Sequence, residues 1–196
     1  MAAITRESLL SLEAYAKARG EFRERVLAHK KARTVHLGEH VTLLFEDELT
    51  IRYQIQEMLR IEKTFEEDGI RDELAAYSAL VPDGTNFKAT MLLEYEDVEA
   101  RRAALATLKG IERRTWVAAE GGERIYAIAD EDLDRENDEK TSAVHFLRFE
   151  LPRATIAALK GGAALAIGVD HPACAVTIAA VADETRAALV ADLVLP

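Results

Sequence analysis

VTLLFEDELTIRYQIQEMLRIEKTFEEDG, residues 41–69, changes its periodicity once, and that change sets the fold class. VTLLFE (41–46) holds β-branched and aromatic side chains and is too short for a helix, so it reads as a strand. From about Asp47 to Asp68 the apolar spacing is helical. Ile51, Ile55, Met58, Leu59 and Phe65 gather on one side of a helix wound at about 100° per residue. Gly69 suits a left-handed C-terminal cap. Glu62 falls near the middle of the apolar stripe, and Gln54 lies towards its edge.

The flanking sequence repeats this alternation of strand and helix. Residues 5–33 are predicted helical, with Thr5 as N-cap and Gly20 marking a break or a close contact. IRDELAAYSAL (70–80) continues as a helix and stops at Pro82-Asp83-Gly84. FKATMLLEYED (87–97) is a strand, and Asp97 caps a helix running to Gly110. Residues 114–129 read as a hairpin turning at Gly121-Gly122. DEDLDRENDEK (130–140) is nearly all charge and is expected to be an exposed loop. SAVHFLRFEL (142–151) is a strand, and a short helix runs from Pro152 to Gly161-Gly162. A strand pair follows across Asp170-His171-Pro172, and a last helix starts at Asp183. The fold class is α+β: N-terminal helices, then a mostly antiparallel or mixed sheet with short helices packed on it. One compact domain is expected over 1–196, with 1–34 as a basic helical extension.

Composition narrows the function. The chain of 196 residues carries a net charge of −10, which argues against a nucleic-acid backbone as partner. No apolar run approaches the roughly 20 residues a membrane span needs. The single cysteine, Cys174, cannot form an internal disulfide, a zinc ribbon or an iron–sulfur cluster within a monomer, and it points to a reducing cytoplasm. Residues 1–34 hold eight Lys/Arg against four Glu, an excess of +4 that leaves −14 on the remainder. Such an arm either presents a solvated face or docks an acidic partner or a second copy of the chain through residues 5–33.

No catalytic template is met in full. HLGEH (36–40) has the letters of a zinc-hydrolase helix, but Gly38 and the strand-like flanks place it in a turn, where the two imidazoles splay apart. Phosphate loops, the nucleophile elbow and paired E-x-x-H diiron helices are missing. His145 alternates with Leu147 and Phe149 on one strand face, as a hydrogen-bonded core histidine does. Glu62 is the unusual residue, because an unpaired buried carboxylate costs several kcal/mol. Three readings are open. It pairs with Arg148, Arg101 or Arg102; it sits half wet where the helix leaves the core; or it joins Gln54 and His145 in a pocket for a small ligand or a metal, with Arg148 in the same polar cluster.

RTVHLG, VTLLFEDELTIRYQIQEMLRIE, ATMLLE, VHFLRFEL, DHP and the terminal ADL together resemble the bacterial family catalogued as domain of unknown function 3501. The resemblance spans essentially the whole chain, and QIQEMLRIE is its most specific block. It implies a small cytoplasmic protein and a gene neighbourhood with rubrerythrin-like and iron–sulfur oxidoreductase proteins. It brings no catalytic residues and no cofactor. The expected function is therefore a non-catalytic binding or accessory protein of a redox system, with a ligand- or metal-binding enzyme as the alternative.

Overall fold

The computed structural model describes residues 4–129 and 140–195. The charged stretch expected as a loop lies, but for Lys140, outside them. The described residues form a mixed α+β fold of eight strands and six α-helices. The strands are β1 (Thr34–Leu37), β2 (Val41–Phe45), β3 (Asn86–Leu93), β4 (Thr115–Ala119), β5 (Ile125–Tyr126), β6 (Val144–Glu150), β7 (Leu165–His171) and β8 (Cys174–Ile178). They make two four-stranded sheets where the sequence suggested one. The orders are β1-β2-β3-β6 and β5-β4-β7-β8, and all neighbours are antiparallel.

The inner faces of the two sheets share one core, in which Leu43, Phe45, Met91, Leu147 and Phe149 of the first sheet meet Val117, Leu165 and Ile167 of the second. The sheets are tied at one side by a bridge between Ile128 and Arg148, with reciprocal backbone hydrogen bonds of 2.8 and 2.9 Å. At the other side β8 meets the β1–β2 turn. Gly38 takes φ +73°, and a Cβ there would lie 3.5 Å from the Val176 side chain.

The helices are α1 (Leu12–Lys31), α2 (Glu48–Glu62), α3 (Glu67–Ser78), α4 (Val98–Thr107), α5 (Arg153–Lys160) and α6 (Asp183–Ala191). Asp47 starts α2 with a reciprocal cap: its carboxylate accepts from Thr50 N–H, and the Thr50 hydroxyl accepts from Asp47 N–H, both at 2.9 Å. Ile51, Ile55 and Leu59 of α2 build a second core with Leu9, Ile70 and Leu80, and Phe146 of β6 packs against it. The outer face of the first sheet thus carries a helical layer of α1, α2 and α3.

Three sequence expectations change here. Thr5 caps only a 3-10 turn at 6–8; the chain then extends, and Ser11 starts α1 by accepting from Ala14 N–H at 3.2 Å. Gly20 lies inside an unbroken α1, since an interior glycine costs only about 1 kcal/mol and Tyr15 and Val26 anchor the helix on either side. The helix of the opening stretch ends at Glu62, because Lys63 takes the left-handed conformation (φ 55°) and returns its N–H to Leu59. Phe65 is consequently 64% exposed, and Gly69 sits within α3, where a Cβ would meet Thr64 at 2.6 Å.

Candidate functional site

The four residues singled out from the sequence do not form one cluster. Glu62 ends α2 and is exposed, while Gln54 is half-buried two turns earlier. His145 points to the other side of the first sheet. It is 1% exposed and shares the inner face with Leu147 and Phe149, whereas Phe146 and Arg148 take the α2 side. The His145 Nε2 lies 3.0 Å from both the Thr141 hydroxyl and the Ser142 carbonyl. Arg148 is ion-paired with its strand neighbour Glu150. The predicted pocket fails because period-2 alternation puts a sheet between its members.

What Glu62 does line is a cavity of about 400 Å³ between α2, α3 and β6, walled by Met58, Tyr77, Leu80 and Phe146. Glu73 joins it there. Burial, then the nearby Glu62 and Asp72, push the Glu73 carboxyl above its ordinary range. The stripe arithmetic aims Glu62 inward correctly, but the helix ends over this opening and not over packed core.

The basic arm folds onto its own body. Its inward stripe runs Tyr15, Arg19, Phe22, Val26, His29 and Arg33, and the cations on it have internal partners. Arg6 forks onto Glu67 at 2.9–3.2 Å. Arg33, with its side chain 3% exposed, holds Asp192 at 2.7 Å and Asp47 at 3.1 Å, and His29 closes on Asp47 at 2.5 Å. Burial pushes Asp192 above its ordinary range; for Asp47 the opposing Thr50 N–H, Arg33 and His29 overcome burial and hold it below. Much of the arm's excess charge is therefore committed within the molecule.

Arg19 holds Glu57 bidentately at 2.8 Å. That grip, with the Tyr15 hydroxyl and Arg60 adding to it, outweighs burial and pulls Glu57 down to about 2. A depressed carboxyl stabilises the fold above its unfolded-state pKa of about 4.3 and loses that contribution as pH falls through the folded value. Between about pH 4.3 and 2, wild type should lose roughly 2–3 kcal/mol more stability to acid than Glu57→Gln does. Urea titrations across that window check this; parallel pH profiles would remove Glu57 as the titrating group.

The HLGEH segment is a β-turn, not a metal helix. Thr42 donates to the Glu94 carboxylate at 2.6 Å and so accepts from His36 Nδ1 at 3.0 Å. His40 donates to the Glu94 carbonyl at 2.9 Å and stacks on Tyr95 with ring centroids 4.0 Å apart. Among the described residues no group of three or more His, Cys, Asp or Glu is placed to hold a metal. Cys174 is half-buried, and burial pushes its thiol up, away from the thiolate a nucleophile needs.

Two clefts meet at Leu10, in the segment before α1. One, of about 240 Å³, is lined by Ser8, Phe22, Arg25, Arg52 and Gln56; the other, of about 150 Å³, includes Leu9, Phe65 and Ile70. Gln56 is 1% exposed and holds this segment in place, its Oε1 accepting from Leu10 N–H at 2.7 Å and its Nε2 donating to the Leu10 carbonyl at 3.4 Å. The sequence reading passed over Gln56. A glutamine beside the buried stripe was its only signal, and its partner lies 46 positions away.

No described helix is long and apolar enough to cross a membrane. No curated protein matches the chain. A crystal structure of a novel protein of unknown function from Burkholderia pseudomallei K96243 is 58% identical, with a TM-score of 0.93, and the match covers 98% of this chain and 100% of that one. The family model for "Protein of unknown function (DUF3501)" matches residues 3–193, nearly the entire length. The chain belongs to the DUF3501 family.

Proposed function

We propose that this chain is a binding or accessory protein without catalytic chemistry of its own, and that its helical layer is the face that docks a partner. The observation that supports this reading is exposed apolar surface on that layer. Leu10 (43%), Leu27 (42%), Ile61 (60%) and Phe65 (64%) all lie on α1, α2 or the segments flanking them. Exposed apolar patches mark interaction sites; Leu10 and Phe65 line one cleft together, and Arg23, Arg25 and Lys31 are exposed on α1. A redox protein of the rubrerythrin-like or iron–sulfur oxidoreductase kind is the partner class implied by the family resemblance.

The test is co-purification of the full chain with such proteins from the same bacterium. Capture is expected at about 50 mM salt and should weaken at about 0.5 M, where exposed charges are screened. Phe65→Ser should abolish it while changing stability by no more than about 0.5 kcal/mol, the usual range for a surface substitution. Failure to capture any such protein at low salt would sink the proposal. A sedimentation profile that shifts to the dimer and reverts on Phe65→Ser would make a second copy of the chain the occupant of this face, replacing the redox partner.

A further inference from the structure

We infer that the cleft between Phe22, Arg25 and Arg52 receives a carboxylate, a Glu or Asp side chain of the docked protein. This inference rests on the docking reading above and names the anchor within it. The two guanidinium groups lie over the one Phe22 ring, at 5.0 Å for Arg25 and 5.7 Å for Arg52. The Phe22 ring quadrupole attracts both cations to this one place on the surface. Arg52 is ion-paired with Glu48, Nε to Oε1 at 3.0 Å, yet its buried Nε has no hydrogen-bond acceptor in line. Arg25 has no carboxylate within salt-bridge distance among the described residues, in contrast to Arg6, Arg19 and Arg33 of the same arm. Glu21 also lines the cleft and Glu48 neutralises Arg52, so Arg25 is the lining cation without a carboxylate in salt-bridge reach among the described residues.

Size argues against a drug-sized ligand. At about 240 Å³ the cleft is smaller than the roughly 300–1,000 Å³ that encloses an ordinary small ligand. It suits one carboxylate on a short stem, with Leu10 and Ala18 against the methylenes. The neighbouring cleft at Phe65 shares Leu10, so an acidic residue in the first and an apolar one in the second can come from a single partner segment. The Gln56 clasp on Leu10 holds the wall between them in place.

The probe is the dipeptide acetyl-Glu-Glu-amide, with acetyl-Gln-Gln-amide as the uncharged control, titrated into the full chain at low salt. Nitrogen–proton NMR signals of Arg25 Nε, Arg52 Nε and the Leu10 amide should shift saturably with the first and not the second. Arg25→Gln should weaken the affinity about tenfold, the loss expected for a charge-assisted hydrogen bond. Absence of a saturable shift, or an equal response to both peptides, overturns the inference. Peptide binding at the cleft without capture of any redox protein leaves the anchor standing and removes the docking reading. Capture that survives Arg25→Gln combined with Arg52→Gln, with no peptide response, does the reverse.

Discussion

Arg33→Ala is expected to remove about 3–5 kcal/mol of stability, the range seen when one member of a buried ion pair is deleted. The guanidinium is 3% exposed and joins three elements: the end of α1, the Asp47 cap of α2, and Asp192 just after α6. Deleting it leaves a buried and a half-buried carboxylate near one another, with only His29, on Asp47, to offset them. Their own burial then raises both pKa values, so the penalty should be largest at neutral pH and shrink as acid protonates them. Arg33→Lys should recover only part of the loss, because one ammonium cannot match a fork that spans both partners. Urea denaturation at pH 7 and pH 4.5 checks both statements. A loss under about 1 kcal/mol at pH 7 would show that water or His29 replaces the guanidinium.

Gly168→Ala is expected to cost about 3 kcal/mol, the upper end for overpacking by one methyl. Gly168 lies opposite Trp116 in the β4–β7 pairing, and the indole covers it. An added Cβ would stand 2.5 Å from Trp116 Cζ2 and 2.7 Å from the Val176 carbonyl oxygen. The second obstacle is backbone of β8 and has no rotamer to escape into. Nor is the indole free to swing, because Arg124 lies over its face at 4.3 Å and is held by Asp170 at 3.3 Å. Trp116 is the chain's only tryptophan, so its fluorescence reports the site directly. Denaturation with a red-shifted native emission is the expected outcome. Unchanged stability and emission would mean that β8 gives way easily.

Local chemistry made the strands and caps legible. β2, β3 and β6 announce themselves by alternating or β-branched runs, and Asp97 does cap α4, accepting from Ala100 N–H at 2.7 Å. The division into two sheets was not legible, because no single strand says which partner it takes. Glu62 shows the same limit from the helix side. Its angle on the stripe was right, but whether that angle meets core or water depends on where Lys63 ends the helix. The charge count leaves Arg33 and Arg19 in an arm that is either solvated or docked to a partner, although they recur with Tyr15, Phe22 and Val26 at the spacing of a buried stripe. Their anions, Asp192 and Glu57, are 159 and 38 positions away, beyond the reach of any local pattern.

The seams between the sheets bear on how a partner can approach. A strand with a free side is a template on which another chain can add its own backbone, in regulated recognition and in aggregation alike. Here β6 and the chain just after β5 bond to one another through Ile128 and Arg148, and β8 comes up against the β1–β2 turn at Gly38 and Val176. An incoming strand finds β6 already engaged at Arg148 and β8 crowded by Val176 against Gly38. Recognition through side chains on the helices meets no such obstacle.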